Sequence, residues 1–354
     1  MVSCSYSRDI VDLDTMYERT ASSISFVPSD KSLQSTAPKN VTWRQTTVPF
    51  VLSVDRDSLT LLRFRNRTVF TLGIAHMVNI YAKVVPELAL QHEHLFHAVL
   101  ATTMFHDRAL ACSLQPLVTE SYHLGQAAAL FNEKLSTTIS NKDRDALWLT
   151  AVYLCAMACF NVDSTNPEEV YPLRPSSSTD LEWLRMQAGL RAVWLVADLH
   201  GSNSILGQVE VDAEDNCVFP KVAPSGIAGL LPELVQLCDL VPSTNGLNNP
   251  YHTAVSHLSW MLKLNGTPAN TIRFMIFAGG MAAEFKILLR RKDPRALLLL
   301  ALWYSKLVKS TWWMSPRATV ESEAIFRYLH RFHAEETQVL ELLDSKYLGT
   351  ECRG

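Results

Sequence analysis

From about Ser58 onward, apolar residues recur every three or four positions, the period of a helix packed on one face. Ser58–Lys83 carries Leu61, Phe64, Thr68, Leu72 and Ala75 at that spacing and predicts one helix. Glu93–Cys112 is apolar nearly all round, through Leu95, Phe96, Ala98, Val99, Leu100, Met104 and Phe105, and predicts a central buried helix. Thr119–Leu135 follows, then a helix from Lys142 to about Phe160 with Asn141 as its cap. Residues Asn161–Ser178 hold three prolines and a serine run, a loop composition. Thr179-Asp-Leu-Glu182 reads as a capping box opening a helix to about His200, with Leu184, Leu190, Trp194 and Ala197 on or near one face.

Gly201–Gly226 breaks the pattern, and strand-like alternation is confined to Gly207–Asp212, so this stretch predicts a connector. Helices resume at Ala228–Leu240, Tyr251–Leu264, Ala269–Arg291, Pro294–Thr311 and Arg317–Tyr347. Asp293 is placed to cap the fourth of these, with Pro294 in its first turn. No fixed-period repeat is present. The expectation is an all-α, multi-helix, bundle-like domain with almost no sheet, over residues 58–349 with a connector at 201–226. Residues 1–57 are weakly patterned, rich in Ser and Thr, and precede it as a lead-in.

Composition narrows the class. The 354 residues are 48% apolar and 19% charged, with eight Trp, which excludes a disordered or low-complexity chain. A net charge of −3 provides no general attraction for a phosphate backbone. The longest apolar run, Ala296–Tyr304, is too short to span a bilayer, so no membrane span is expected. The start, MVSCSYSRDIVDLD, lacks the apolar core of a signal peptide. Seven scattered cysteines then read as reduced thiols in a cytoplasmic or nuclear protein. The acceptor patterns at Asn40, Asn66 and Asn265 carry no glycosylation reading in that setting.

Motif chemistry is sparse. The chain has no phosphate loop, no nucleophile elbow, no His-Glu-x-x-His and no Cys-x2-Cys pair, and it suggests no cofactor. Cys155 and Cys159 lie one turn apart in an apolar run and read as buried structural thiols. His92, His94 and His97 cluster; the last two share a face, yet no matched set completes a metal site, and helix-end packing is the preferred account. His106-Asp107-Arg108 interrupts an otherwise apolar helix. A buried polar triplet is either satisfied internally or faces a cavity; an internal ion pair is the favoured account, and acid–base work the alternative. Arg63 and Arg67 share a face while Arg65 points away, so they form no phosphate-binding stripe. Arg290-Arg291-Lys292 with Arg295 matches a localisation signal, but cations at a helix C-terminus are the simpler account.

Trp260, Trp303, Tyr304, Trp312 and Trp313 crowd the C-terminal half, with Met275, Met281 and Met314 among them. Such residues line adaptable pockets for flat apolar ligands or fill ordinary core. Gly279-Gly280 within a helical pattern implies a kink or a close helix approach.

Five stretches in order, LLRFRNRTVFTLG, HLFHAVLATTMFHDRAL, YHLGQAAALFNEKL, DLEWLRMQAGLRAVW and KDPRALLLLALWYSKLVKSTWWMSP, resemble the regulatory domain of fungal zinc-cluster transcription factors, of the sterol-uptake-regulator type. The resemblance covers about Leu59 to Leu348. It implies an α-helical domain that senses an apolar ligand such as a sterol and controls transcription of sterol-related or secondary-metabolite genes. Such regulators carry six cysteines on two zinc ions ahead of this domain; here the residues before Leu59 hold only Cys4, and no specific DNA binding by this chain is expected. Three readings follow. The first is a regulator acting through a protein partner or as a homodimer. The second is a cofactor-independent cyclase or pericyclase, such as a Diels-Alderase, made from the same pocket. The third is a gene model lacking an upstream zinc-cluster exon, which returns to the regulator. We take the first. The ligand-site candidates are Trp260, Met281, Trp303, Trp312 and Trp313; if the enzyme reading holds, His106, Asp107 and Arg108 are the catalytic candidates. The last three belong to the family pattern itself, which argues for a packing role.

Overall fold

The computed structural model describes residues 54–73, 78–111, 117–197, 204, 206 and 225–344. Among them the chain forms thirteen α-helices and no strand, and the fold is all-α. One isolated bridge joins Ser225 to Asn245. The N-terminal helices are α1 (Val54–Asn66), α2 (Val78–Ala89), α3 (Glu93–Leu110), α4 (Val118–Leu135), α5 (Arg144–Phe160) and α6 (Glu182–Ala197). After the connector come α7 (Pro232–Leu237), α8 (His252–Met261), α9 (Thr271–Gly279), α10 (Ala283–Arg290), α11 (Pro294–Leu307), α12 (Ser315–Phe332) and α13 (Thr337–Asp344).

The helix expected to be central is so. Every residue of α3 from His94 to His106 is buried, and α1, α2, α4 and α5 pack around it. The C-terminal centre is α11, whose residues Ala296 to Ser305 are all buried against α8, α9, α10, α12 and α13. The two groups are joined where α6 packs on α9 and α5 on α12. One apolar cluster therefore runs from Phe64 to Leu343.

Several boundaries differ from the periodicity, each for a local reason. The Ser58–Lys83 helix is two helices. Between them Gly73 adopts φ +86, and the place its Cβ would take lies 2.6 Å from Thr271 Cβ; Ala75 falls outside the described residues. Asn141 does not cap α5. Asp143, just before the helix, turns its carboxylate back to the Ser140 amide at 3.0 Å and to Lys134 at 2.8 Å. The capping box does not form either. Leu181 sits in the left-handed region at φ 59, so the chain turns sharply before Glu182. The Thr179 hydroxyl bonds Ser177 Oγ at 3.0 Å instead of reaching into α6.

Ala269–Arg291 is broken at the glycine pair, because a Cβ at Gly280 would lie 2.5 Å from His257 Cε1. The expected last helix is split into α12 and α13. The expected cap at Asp293 is present, its carboxylate accepting from the Ala296 amide at 2.9 Å. The strand-like stretch Gly207–Asp212 and the lead-in before Val54 lie outside the described residues.

Candidate functional site

The polar triplet at the end of α3 is fully engaged. Arg108 meets Glu120 of α4 with both sides of its fork, Nη2 to Oε1 at 2.7 Å and Nε to Oε2 at 3.1 Å. Its guanidinium lies 4.8 Å from the centroids of both Phe105 and Phe160, and Nη2 donates to Asn161 Oδ1 at 3.2 Å. Asp107 pairs with Arg63, Nε to Oδ2 at 3.3 Å, and with Arg67. His106 Nδ1 bonds Thr68 Oγ1 at 3.0 Å, and its ring stacks on Trp312 at 4.9 Å. Trp312 Nε1 donates in turn to Thr71 Oγ1 at 3.0 Å. Burial, and then the charge of Arg67, lower the His106 pKa to about 4, so its ring is neutral at pH 7. These bonds tie α1, α3, α4 and the α11–α12 turn together.

The five aromatic and methionine candidates do not converge on one cavity. Trp303 has no exposure: it is stacked between Trp183, at 5.7 Å and 5°, and Phe277 at 5.3 Å, and its Nε1 donates to the Phe274 carbonyl at 2.7 Å. Trp313 and Met281 are buried, and Trp260 packs half-buried against the core. Trp312 lines an open groove of about 270 Å³ with Phe70 and Lys309.

The histidines and cysteines are packed rather than assembled around a metal. His94 Nδ1 bonds Thr150 Oγ1 and His97 Nδ1 bonds His123 Nδ1, each at 2.8 Å. Cys155 and Cys159 are free buried thiols, and burial pushes the Cys159 pKa up to about 11. Among the described residues, no group of three or more His, Cys, Asp or Glu is arranged to hold a metal ion. Two cations of the basic run at the end of α10 are engaged, while Arg290 and Arg291 are exposed. Lys292 holds the left-handed position of a Schellman turn at φ 57 and donates Nζ to the Arg174 carbonyl at 3.1 Å, while Arg295 pairs with Asp239 at 2.6 Å.

A cleft of about 180 Å³ opens elsewhere, where α5, the 161–181 loop, the start of α6 and the first turns of α12 meet. Leu154 and Ala158 of α5 and Leu181, Trp183 and Met186 at the start of α6 give it apolar walls. Its polar side is Arg174 with Asp163, Arg317 with Glu321, and Glu182. Arg317 is there because α5 ends without a cap. Its guanidinium donates to the carbonyls of Cys159 at 3.1 Å, Ala158 at 3.2 Å and Asn161 at 2.5 Å, which the helix end leaves open. Its remaining arm meets Glu321, whose other oxygen accepts from Tyr304 Oη at 2.5 Å. Arg174 is held by Asp180 at 2.7 Å and Asp163 at 2.5 Å.

No protein-family model, curated protein or solved structure matches the chain. The likeness to fungal regulators therefore stands on the sequence motifs alone.

One lining charge of the cleft is unspent: Glu182 makes no ion pair or side-chain hydrogen bond among the described residues. Trp183 is only 4% exposed, and its indole N–H is buried without an acceptor among the described residues. Leu181, held in a backbone region that costs a β-carbon residue about 1–2 kcal/mol, forms part of the same wall. Sequence reading missed this site because its walls come from separated segments, from Leu124 of α4 to Glu321 of α12. The one local signal, Asp-Leu-Glu-Trp at 180–183, reads as helix-capping chemistry.

Proposed function

We propose that this chain is a ligand-responsive regulator of the fungal transcription-factor type that acts through a protein partner and senses a small apolar molecule in the cleft beside Trp183. The observation carrying this reading is the contrast between the two polar groups. His106, Asp107 and Arg108 are consumed in interhelical bonds, whereas the cleft combines apolar walls with a carboxylate, Glu182, that has no partner among the described residues. Pockets that orient a ligand have this composition: mostly apolar, with a few polar groups free to choose it. The cleft joins α5 and α6 to α12, so an occupant touches both halves of the core.

Size bears on the occupant. Cavities of about 150 Å³ hold benzene, and drug-sized ligands take about 300–1,000 Å³. At about 180 Å³ the cleft receives one or two rings whole, and a sterol nucleus enters only if the cleft widens. The enzyme alternative has one observation in its favour, the buried Tyr304–Glu321–Arg317 relay at the cleft wall.

The test is replacement of the gene by a cleft-filled variant, Met186→Trp, alongside a deletion, with transcript and metabolite profiling. A regulator loses target transcripts in both strains. Unchanged transcripts with one accumulated intermediate overturn this reading and leave the enzyme.

A further inference from the structure

The charged groups around the cleft do not balance, and that selects the ligand. Both guanidinium groups are already neutralised. Arg174 faces two carboxylates, Asp163 and Asp180, and Arg317 faces Glu321 while serving three backbone carbonyls. Arg317 has four of its five N–H groups engaged and Arg174 three, so each positive charge is already matched by carboxylate. Lys292 spends a donor on the Arg174 carbonyl and lies 5.7 Å over the Tyr328 ring. Glu182 is then the one lining charge with no counterion among the described residues. The positive end of α6 offsets it only in part, since a helix terminus carries roughly half a charge. Counting Lys292, four carboxylates stand against three cations. A ligand carboxylate or phosphate brought here meets net repulsion and finds no free cation, and a buried unpaired charge is costly.

We infer that the cleft takes a one- or two-ring apolar molecule bearing a hydrogen-bond donor and no negative charge, an arylmethyl amine or arylmethyl alcohol, with the donor placed on Glu182. The inference rests on the cleft being a ligand site, as proposed above. Rings lie along Leu181, Met186 and Leu154. Fatty acids, acyl thioesters of nucleotides and other anionic metabolites are thereby rejected.

The experiment uses the full chain and three probes on one ring system: 2-naphthylmethylamine, 2-naphthylmethanol and 2-naphthoate, titrated by calorimetry at pH 7. The amine and the alcohol are expected to bind at least about tenfold tighter than the acid, the scale of one unscreened charge contact near a protein surface. Glu182→Gln, nearly the same shape, should collapse the amine-to-acid ratio towards one, and Met186→Trp should abolish binding of all three. Naphthoate binding as tightly as the amine, or an unchanged ratio in Glu182→Gln, overturns the charge selection while leaving the pocket. Failure of every probe to bind the wild-type chain, or binding that survives Met186→Trp, overturns the pocket and this inference with it.

Discussion

Removing the Arg108 side chain while leaving Glu120 in place tests whether the polar triplet is architecture. In Arg108→Met the thioether fills much of the channel between Phe105 and Phe160, so packing loss is limited. What remains is the Glu120 carboxylate, in a residue 1% exposed, with its bidentate partner gone. Burial already holds that carboxyl above the usual carboxylate range, against the pull of Arg108. Breaking a buried pair from one side costs about 3–5 kcal/mol. For a chain of this size that is a fall in Tm of roughly 4–9 °C. The double variant Arg108→Met, Glu120→Leu removes both charges and should recover most of the loss, because the penalty belongs to the stranded carboxylate. The single variant should also lose less at pH 5 than at pH 7, since protonating Glu120 relieves it. Urea unfolding followed by circular dichroism at both pH values is the measurement. A single variant within about 1 kcal/mol of wild type, or a double variant no better than the single, refutes the argument.

Stability should fall with acid between pH 7 and 5. His94, His97, His106 and His257 each have a pKa lowered to about 4, chiefly by burial. The unfolded chain binds those protons near pH 6.5 and the folded chain near 4, so folding is opposed throughout that window, by about 2 kcal/mol per histidine at pH 5; urea midpoints that stay level from pH 7 to 5 would contradict this. Gly280→Ala should cost about 1–3 kcal/mol, because its Cβ would meet His257 Cε1 at 2.5 Å, whereas Gly279→Ala, with nothing within 4 Å, should be neutral or stabilising by up to about 1 kcal/mol. Equal effects in thermal melts would show that the His257 contact does not govern the break between α9 and α10. Asp293→Ala removes the cap on Ala296 and the acceptor of the Tyr251 hydroxyl, each at 2.9 Å, and should cost about 1–2 kcal/mol by the same melts. A change below about 0.3 kcal/mol would show the cap to be idle.

The sequence reveals helices better than it reveals their ends. An apolar period of 3.6 residues is imposed by the core, so α3 and α11 are legible wherever the core is dense. Ends are decided by single contacts with distant residues. Gly73 stops the first helical run where Thr271 crowds it, and Gly280 stops another against His257; no window of neighbours contains that information. Local chemistry misleads where a tertiary partner competes. Asp180 has the composition of a capping segment but accepts from Arg174 and the Ser177 amide, and the left-handed Leu181 turns α6 away from Thr179. Asp293 is the counterexample: its cap and Pro294 agree locally, and the tertiary bond added from Tyr251 leaves the cap intact.

The same competition explains which polar residues mark a site. The eye is drawn to His106-Asp107-Arg108 because three polar side chains interrupt an apolar helix, yet a polar group packed between helices stabilises them when it is bonded, and each of the three is bonded. Arg174 and Arg317 are alike in this: each sits beside a cleft and each is paired with carboxylate. A group free to act on something else is one the fold leaves incomplete. On the reading proposed above, the Glu182 carboxylate, which the sequence presents as helix-capping chemistry, is the lining group left for a ligand. The fold keeps Trp183 in place through its stack on Trp303 and the Arg317 guanidinium 5.5 Å away, neither of which satisfies its donor. Stacking fixes a ring without using its N–H, so the aromatic residues that read as a ligand pocket in the sequence are core packing that holds Trp183 in the cleft wall.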